Sequence, residues 1–170
     1  FAGIRKQKKN LRIFKETSLT KIRESAQMIG KCLCGEIEFE IEGTIPNLFQ
    51  CHCSLCRKQG GVASNAGTIV HESKFSWKSG ANKVAYYKKD TGFSSNFCSS
   101  CGSPVPNQLG DTNKIWIPAG LLEGDEGQQI VAHIYTKSKA GWDNIPDSGQ
   151  HFDEMPDIET FYNMLQRPER

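Results

Sequence analysis

Seven cysteines in a chain of 170 residues constrain it more than any other feature, because they fall into three tight groups. These are Cys32-Leu33-Cys34-Gly35, Cys51-His52-Cys53-Ser54-Leu55-Cys56 and Cys98-Ser99-Ser100-Cys101-Gly102. An odd count excludes complete internal disulfide pairing, so the thiols point to metal ligation or catalysis. In a Cys-x-x-Cys turn both sulfurs can reach one ion, and a glycine after it allows the positive φ that curls the backbone round the thiolates. By arithmetic, Cys32, Cys34, Cys98 and Cys101 make a closed tetrahedral set, and Cys51, Cys53 and Cys56 remain for a second site. A four-ligand zinc is structural, whereas three protein ligands leave a coordination position for water or substrate. Soft thiolates favour zinc over magnesium or calcium, and their charge suits the ion to a thiol substrate better than to water activation. The pattern therefore predicts two zinc ions per chain, with thiol chemistry at the second.

Other uses of the sulfurs fit less well. All seven could simply staple a small fold, with His52 closing the central site. A thioredoxin-type redox pair needs a βαβ unit, which is not visible around Cys53 or Cys98, and no stretch has ferredoxin spacing. In an extended Cys51-His52-Cys53 the imidazole points away from both sulfurs, so His52 is expected to orient or pack rather than ligate. Arg57 and Lys58 could offset thiolate charge or meet an anionic peptide, or simply be exposed cations. His133 and His151 carry no metal spacing, Trp77, Trp116 and Trp142 read as core or rim aromatics, and Asp153-Glu154 reads as a solvated loop.

The length corresponds to one domain. Residues 1 to 24 hold eight Lys/Arg against Glu16 and Glu24, a local +6 that leaves −4 for the rest of a chain whose net charge is +2. With Phe14 as its only internal aromatic, this head reads as a solvated extension rather than a nucleic-acid arm. Ser18 as a cap, followed by Leu19, Ile22, Ala26 and Ile29, predicts a helix over 18–29. From Gly30 the texture becomes short strands, clearest where Ile37, Phe39 and Ile41 alternate with glutamates. Further strands are predicted over 47–51, 63–70, 83–88, 114–118 and 130–135. A closing helix over 157–165 carries Ile158, Phe161 and Leu165 on one stripe, with Tyr162 beside it. No run of about 18 apolar residues is present, nor a signal-like apolar segment or an Asn-x-Ser/Thr site. A cytoplasmic protein without membrane spans is the expectation.

Three stretches carry a resemblance to the glutathione-dependent formaldehyde-activating enzyme family. They are Gly30-Lys31-Cys32-Leu33-Cys34-Gly35, Cys51-His52-Cys53-Ser54-Leu55-Cys56-Arg57-Lys58 and Phe97-Cys98-Ser99-Ser100-Cys101-Gly102-Ser103-Pro104. His133-Ile134-Tyr135 leading into Ser138-Lys139-Ala140-Gly141-Trp142 looks like the segment after the family's last core strand. The resemblance spans roughly residues 30 to 156 as a reading. It implies a mainly β fold, a single zinc-stabilised β-tent of short antiparallel strands with a few short helices. It further implies a structural zinc on Cys32, Cys34, Cys98 and Cys101 and a catalytic zinc on Cys51, Cys53 and Cys56. The expected organisation is a basic extension over 1–29, a zinc domain over 30–157 and a helical segment over 158–170. The implied activity is that of a carbon-sulfur lyase like S-(hydroxymethyl)glutathione synthase, acting on a small thiol such as glutathione with formaldehyde. The rival is a non-catalytic zinc module for a protein or nucleic-acid partner, of which nucleic acid is the less expected. Oligomeric state is left open by the sequence.

Overall fold

The computed structural model describes residues 27–124 and 127–168. Among them twelve strands and two α-helices form a mainly β architecture, as expected. β1 (Gln27–Lys31), β2 (Glu38–Glu42) and β5 (Phe75–Ser79) make one antiparallel three-stranded sheet, in which β2 is central. β6 (Val84–Lys88), β7 (Ser94–Cys98) and β8 (Pro104–Val105) make a second. The third sheet has six strands in the order β12-β11-β3-β4-β10-β9. Its members are β3 (Leu48–Cys51), β4 (Asn65–His71), β9 (Asn107–Gln108), β10 (Lys114–Pro118), β11 (Ile130–Ile134) and β12 (Gln150–Phe152). β11 runs parallel to both β3 and β12, so this sheet is mixed rather than purely antiparallel.

The alternation around β2 buries Ile37, Phe39 and Ile41 completely, because period-two spacing sends all three to one face. Trp77 of β5 packs edge-on against Phe75 and Phe39, and Phe75 lies tilted against Phe39. β3, β4 and β11 meet α2 (Ile158–Leu165) over a second core of Phe49, Ile69, Ala132, Ile134, Phe161 and Leu165. The predicted stripe faces inward: Phe161 and Leu165 are buried, with Ile158 and Tyr162 partly buried beside them. Asp157 caps this helix, accepting from the Thr160 N–H at 2.9 Å, which holds its carboxyl below the usual range. The buried Lys114 ammonium reaches Glu159 at 2.5 Å and lies over the Tyr162 ring, fastening the helix to β10.

Two expectations need correction. Residues 27–29 of the predicted helix over 18–29 belong to β1, and the rest of that helix, with the basic head, lies outside the described residues. The pattern Leu19, Ile22, Ala26, Ile29 fits helix, yet at Met28 and Gly30 pairing with β2 decides the outcome. Conversely α1 (Ser54–Gly60) was not predicted, because it buries no residue and so shows no apolar stripe.

Gly30 shows how closely the first sheet is packed. It stands opposite Phe39, and a Cβ there would lie 2.1 Å from Phe39 Cζ, so the ring covers the bare glycine backbone. Gly30→Ala forces the buried ring off its site and should destabilise the protein by about 1–3 kcal/mol, the usual cost of overpacking. Urea unfolding followed by tryptophan fluorescence checks this, and an unchanged midpoint would show that the ring yields freely.

Candidate metal centres

The sequence places the first sulfur pair just after β1, in a turn. Gly35 takes φ 77°, its N–H donates to the Cys32 carbonyl at 2.9 Å, and the Cys32 N–H returns to the Ile37 carbonyl. The second pair closes β7 in the same manner, with Gly102 at φ 75° donating to the Cys98 carbonyl at 2.8 Å. Both glycines occupy the left-handed region for which the motif called. The two turns face each other and bring the sulfurs of Cys32, Cys34, Cys98 and Cys101 within 4.8 Å of one another. Bonds of about 2.3 Å to a tetrahedral zinc set sulfurs roughly 3.8 Å apart. Cys32 and Cys34 sulfurs are 3.5 Å apart and those of Cys34 and Cys98 3.8 Å apart, so the group fits such an ion. The Ile37 N–H donates to the Cys32 sulfur at 3.3 Å, as thiolate ligands require.

Cys51, Cys53 and Cys56 form the second group, again within 4.8 Å. Cys51 ends β3 inside the six-stranded sheet, paired to Asn65 and Ile134. Cys53 is the N-cap of α1, its sulfur accepting the Cys56 N–H at 3.3 Å. Three thiols this close hold little more than one negative charge without a cation. Hydrogen bonds from Cys51 and then Cys56 draw Cys53 down to about 2. Cys51 is pushed up to about 12, first through its hydrogen bond to Cys53, and Cys56 is pushed up by Cys51, Cys53 and burial. Such a donor set fits a soft divalent ion, which would neutralise the charge that the sulfurs otherwise cannot carry. Among the described residues no fourth His, Cys, Asp or Glu joins the three. Cys51 and Cys56 instead form part of the wall of a cavity of about 230 Å³.

His52 points away from the sulfurs, into a buried polar chain. Its Nδ1 lies 2.6 Å from Asp143 Oδ2 and its Nε2 lies 3.0 Å from His133 Nδ1. The carboxylate can only accept, so His52 donates to it from Nδ1. His133 Nε2 is buried on the far side of its ring, and the His151 ring centroid lies 5.0 Å from that of His133. Arg57 does not reach outward. Its Nη1 donates to the carbonyls of His52 at 2.9 Å and Ser138 at 2.6 Å, clamping the Cys51–Cys53 loop to the segment after β11. Tyr135, just past β11, takes φ 58° and packs beside the same sulfurs. Burial, and then the charges of Cys51, Cys53 and Cys56, raise its pKa.

Sequence reasoning missed Asp143, and it named His133 and Tyr135 within a family-like stretch without giving either a role. The signal for Asp143 was that it continues this stretch past Trp142, which itself proves largely exposed. Among the described residues no helix is long and apolar enough to cross a membrane.

The chain is mainly β and carries two thiol-only clusters, one of four sulfurs and one of three, each of which could hold a metal ion. More particularly, the chain belongs to the glutathione-dependent formaldehyde-activating enzyme family, whose model matches residues 27–138. A Halomonas elongata protein named "Putative glutathione-dependent formaldehyde-activating enzyme" is 31% identical over 82 residues, which is 45% of this chain and 52% of that one. The chain thus spans about half the length of the curated relative it matches. A crystal structure of a Rhodobacter sphaeroides protein is similar at a TM-score of 0.50 and 26% identity, covering 59% of this chain and 92% of that chain.

The buried imidazole chain has a pH signature. His133 is held below its ordinary pKa by burial first, then by His52 and His151, with Asp143 opposing. A base depressed in the fold gains a proton on unfolding. Its contribution is therefore complete above the unfolded value of about 6.5 and is lost as pH falls below it. Between pH 7.5 and 5.5 the parent should lose up to about 1.4 kcal/mol more stability than His133→Gln, whose amide does not titrate. Denaturant melts at both pH values measure the difference, and equal losses would show that His133 titrates normally.

Proposed function

We propose that this chain is a zinc-dependent carbon-sulfur lyase that makes and breaks a thiol–aldehyde adduct, as S-(hydroxymethyl)glutathione synthase does with glutathione and formaldehyde. In this reading Cys32, Cys34, Cys98 and Cys101 hold a structural zinc and Cys51, Cys53 and Cys56 a catalytic one, two ions per chain, within a tent of three sheets. The observation that supports it best is the asymmetry of the clusters. Four sulfurs close one group, while the other has three, two of which, those of Cys51 and Cys56, belong to residues lining a cavity with room for a ligand from solution. The rival, a non-catalytic zinc module, has no use for a cavity at the incomplete cluster.

Zinc held by the three central sulfurs would lower the pKa of an incoming thiol and keep it as thiolate. The protein's own part is rigidity. β3 fixes Cys51, the cap of α1 fixes Cys53 and Cys56, and Arg57 with the His52–Asp143 pair prevents the intervening loop from drifting. In the forward direction sulfur bonds to the carbonyl carbon, the π pair moves to oxygen, and the proton given up by the thiol ends on that oxygen. The reverse step breaks the carbon-sulfur bond and returns thiol and aldehyde.

The metal assignment predicts about two zinc ions per purified chain. Cys53→Ser should fall toward one with the fold kept, whereas Cys98→Ser should lose thermal stability as well as zinc. Elemental analysis beside circular-dichroism melts checks both, and one zinc in the parent or a melted Cys53→Ser protein beside an intact Cys98→Ser protein reverses the assignment.

The open position predicts that glutathione binds the zinc-loaded protein with release of a proton, more tightly as pH rises toward the thiol value of about 8.5. Calorimetry in two buffers of different ionisation enthalpy reads the proton directly. S-methylglutathione, having no thiol, should bind at least tenfold more weakly, and Cys56→Ser should abolish the proton release. Failure of glutathione, cysteine and simple thiols to bind sinks the lyase reading.

A further inference from the structure

The cavity beside the central sulfurs is not shaped for formaldehyde. Its lining is mostly apolar, with Phe49, Ile69, Phe93, Leu109, Trp116 and Met155, and among the described residues no charged side chain lines it. The amides in that lining are engaged with the protein itself. Gln59 Nε2 donates to Ser95 Oγ at 2.6 Å, Asn65 Nδ2 to Gln59 Oε1 at 3.0 Å, and Asn107 Nδ2 to Ser94 Oγ at 3.0 Å. An apolar chamber of about 230 Å³ is far more than one carbon and one oxygen can fill. Glutathione cannot fill it either, since its two carboxylates and ammonium would lose their hydration against hydrocarbon with nothing to replace it. A second groove meets the chamber at Gln59 and Phe93 and carries Lys58 and Lys89, which suits the charged body of such a peptide.

From this partition we propose that the aldehyde partner carries an apolar substituent of several carbons, lodged in the chamber, while the thiol partner lies along the groove of Lys58 and Lys89. The assignment rests on the carbon-sulfur reading above and narrows its substrate class. The bond made is sulfur to the aldehyde carbon, and the thiol proton passes to the former carbonyl oxygen, so no oxidant or reductant is needed. Adding an apolar carbon to a substrate that fills a mostly apolar pocket is worth about tenfold or more in specificity.

Zinc-loaded protein is assayed with glutathione and either butanal or formaldehyde, in the parent and in Leu109→Trp. Leu109 is only partly buried and its backbone bonds to Lys114 and Thr112 do not involve the side chain. Met155→Phe fills the chamber from another segment and serves should the first variant fail to fold. The ratio of kcat/KM for butanal to that for formaldehyde should fall at least about tenfold in either variant, a comparison in which intrinsic aldehyde reactivity cancels. Independently of turnover, n-butanol but not methanol should shift the Trp116 indole N–H resonance, assigned with Trp116→Phe. An unchanged ratio with an unmoved Trp116 overturns this inference while formaldehyde turnover leaves the lyase reading intact. If neither aldehyde reacts in the parent, both fall. Should the variants instead discriminate butanethiol from glutathione, each with formaldehyde, the chamber serves the thiol and the assignment to the aldehyde is overturned.

Discussion

Crowded thiols are the constraint around which the rest of the protein is arranged. Sulfurs within 4.8 Å of one another cannot all ionise in the absence of a cation, and the opposite displacements of Cys53 and Cys56 express that conflict. The two groups are embedded differently. Around Cys32 and Cys98 the core is small, with only Ile37 and Val105 wholly buried beside them. There the thiol knot joins the turn between β1 and β2 to the end of β7, linking two three-stranded sheets that share little apolar surface. The central group hangs on a large core of Phe49, Ile69, Phe161 and Leu165, which can hold its shape without it. The proposed division, structural for the first group and catalytic for the second, draws on this difference in support.

The loop that carries Cys51 and Cys53 has its own fastening. Burying His52 and Asp143 costs hydration that only a matched partner can offset, and each is that partner for the other. Arg57 adds two charge-assisted bonds, to the carbonyls of His52 and Ser138, that join the same two segments. Together they hold the start of α1 against the segment after β11. Through them a change at Asp143 reaches the sulfurs without touching them.

Much of this was legible in the chain, for reasons that can be named. Ile37, Phe39 and Ile41, and Phe161 and Leu165, announce their elements because each repeats at the period of its structure over a buried face. The sulfur grouping was legible because metal ligation compresses into local spacing. What spacing cannot carry is long-range: Asp143 lies 91 residues from His52, and His133 lies 81 from it, with no periodicity to connect them. α1 was hidden for the opposite reason, since it is local, capped by Cys53, and buries nothing. Arg57 could not be told from an exposed or substrate-facing cation because its acceptors are backbone carbonyls, to which any sequence contributes equally.

Cys51 and Cys56 border a mostly apolar chamber, and a groove carrying Lys58 and Lys89 shares Gln59 and Phe93 with it, an arrangement that determines where selectivity can come from. Lys58 is exposed, and an exposed ion pair is worth roughly 0–1 kcal/mol and is weakened further by salt. Lys58 and Lys89 can therefore draw an anion toward the groove and orient it without choosing sharply among anions. Within the chamber each methylene counts for about 1–3 kcal/mol, because neither water nor salt screens a packing fit. The amides that might have read a polar substrate are already spent on Ser94, Ser95 and each other, so the chamber has few free polar groups with which to recognise anything but shape and hydrophobicity. The choice of partner is therefore made on the apolar side of the sulfurs, and the charged side supplies encounter and direction.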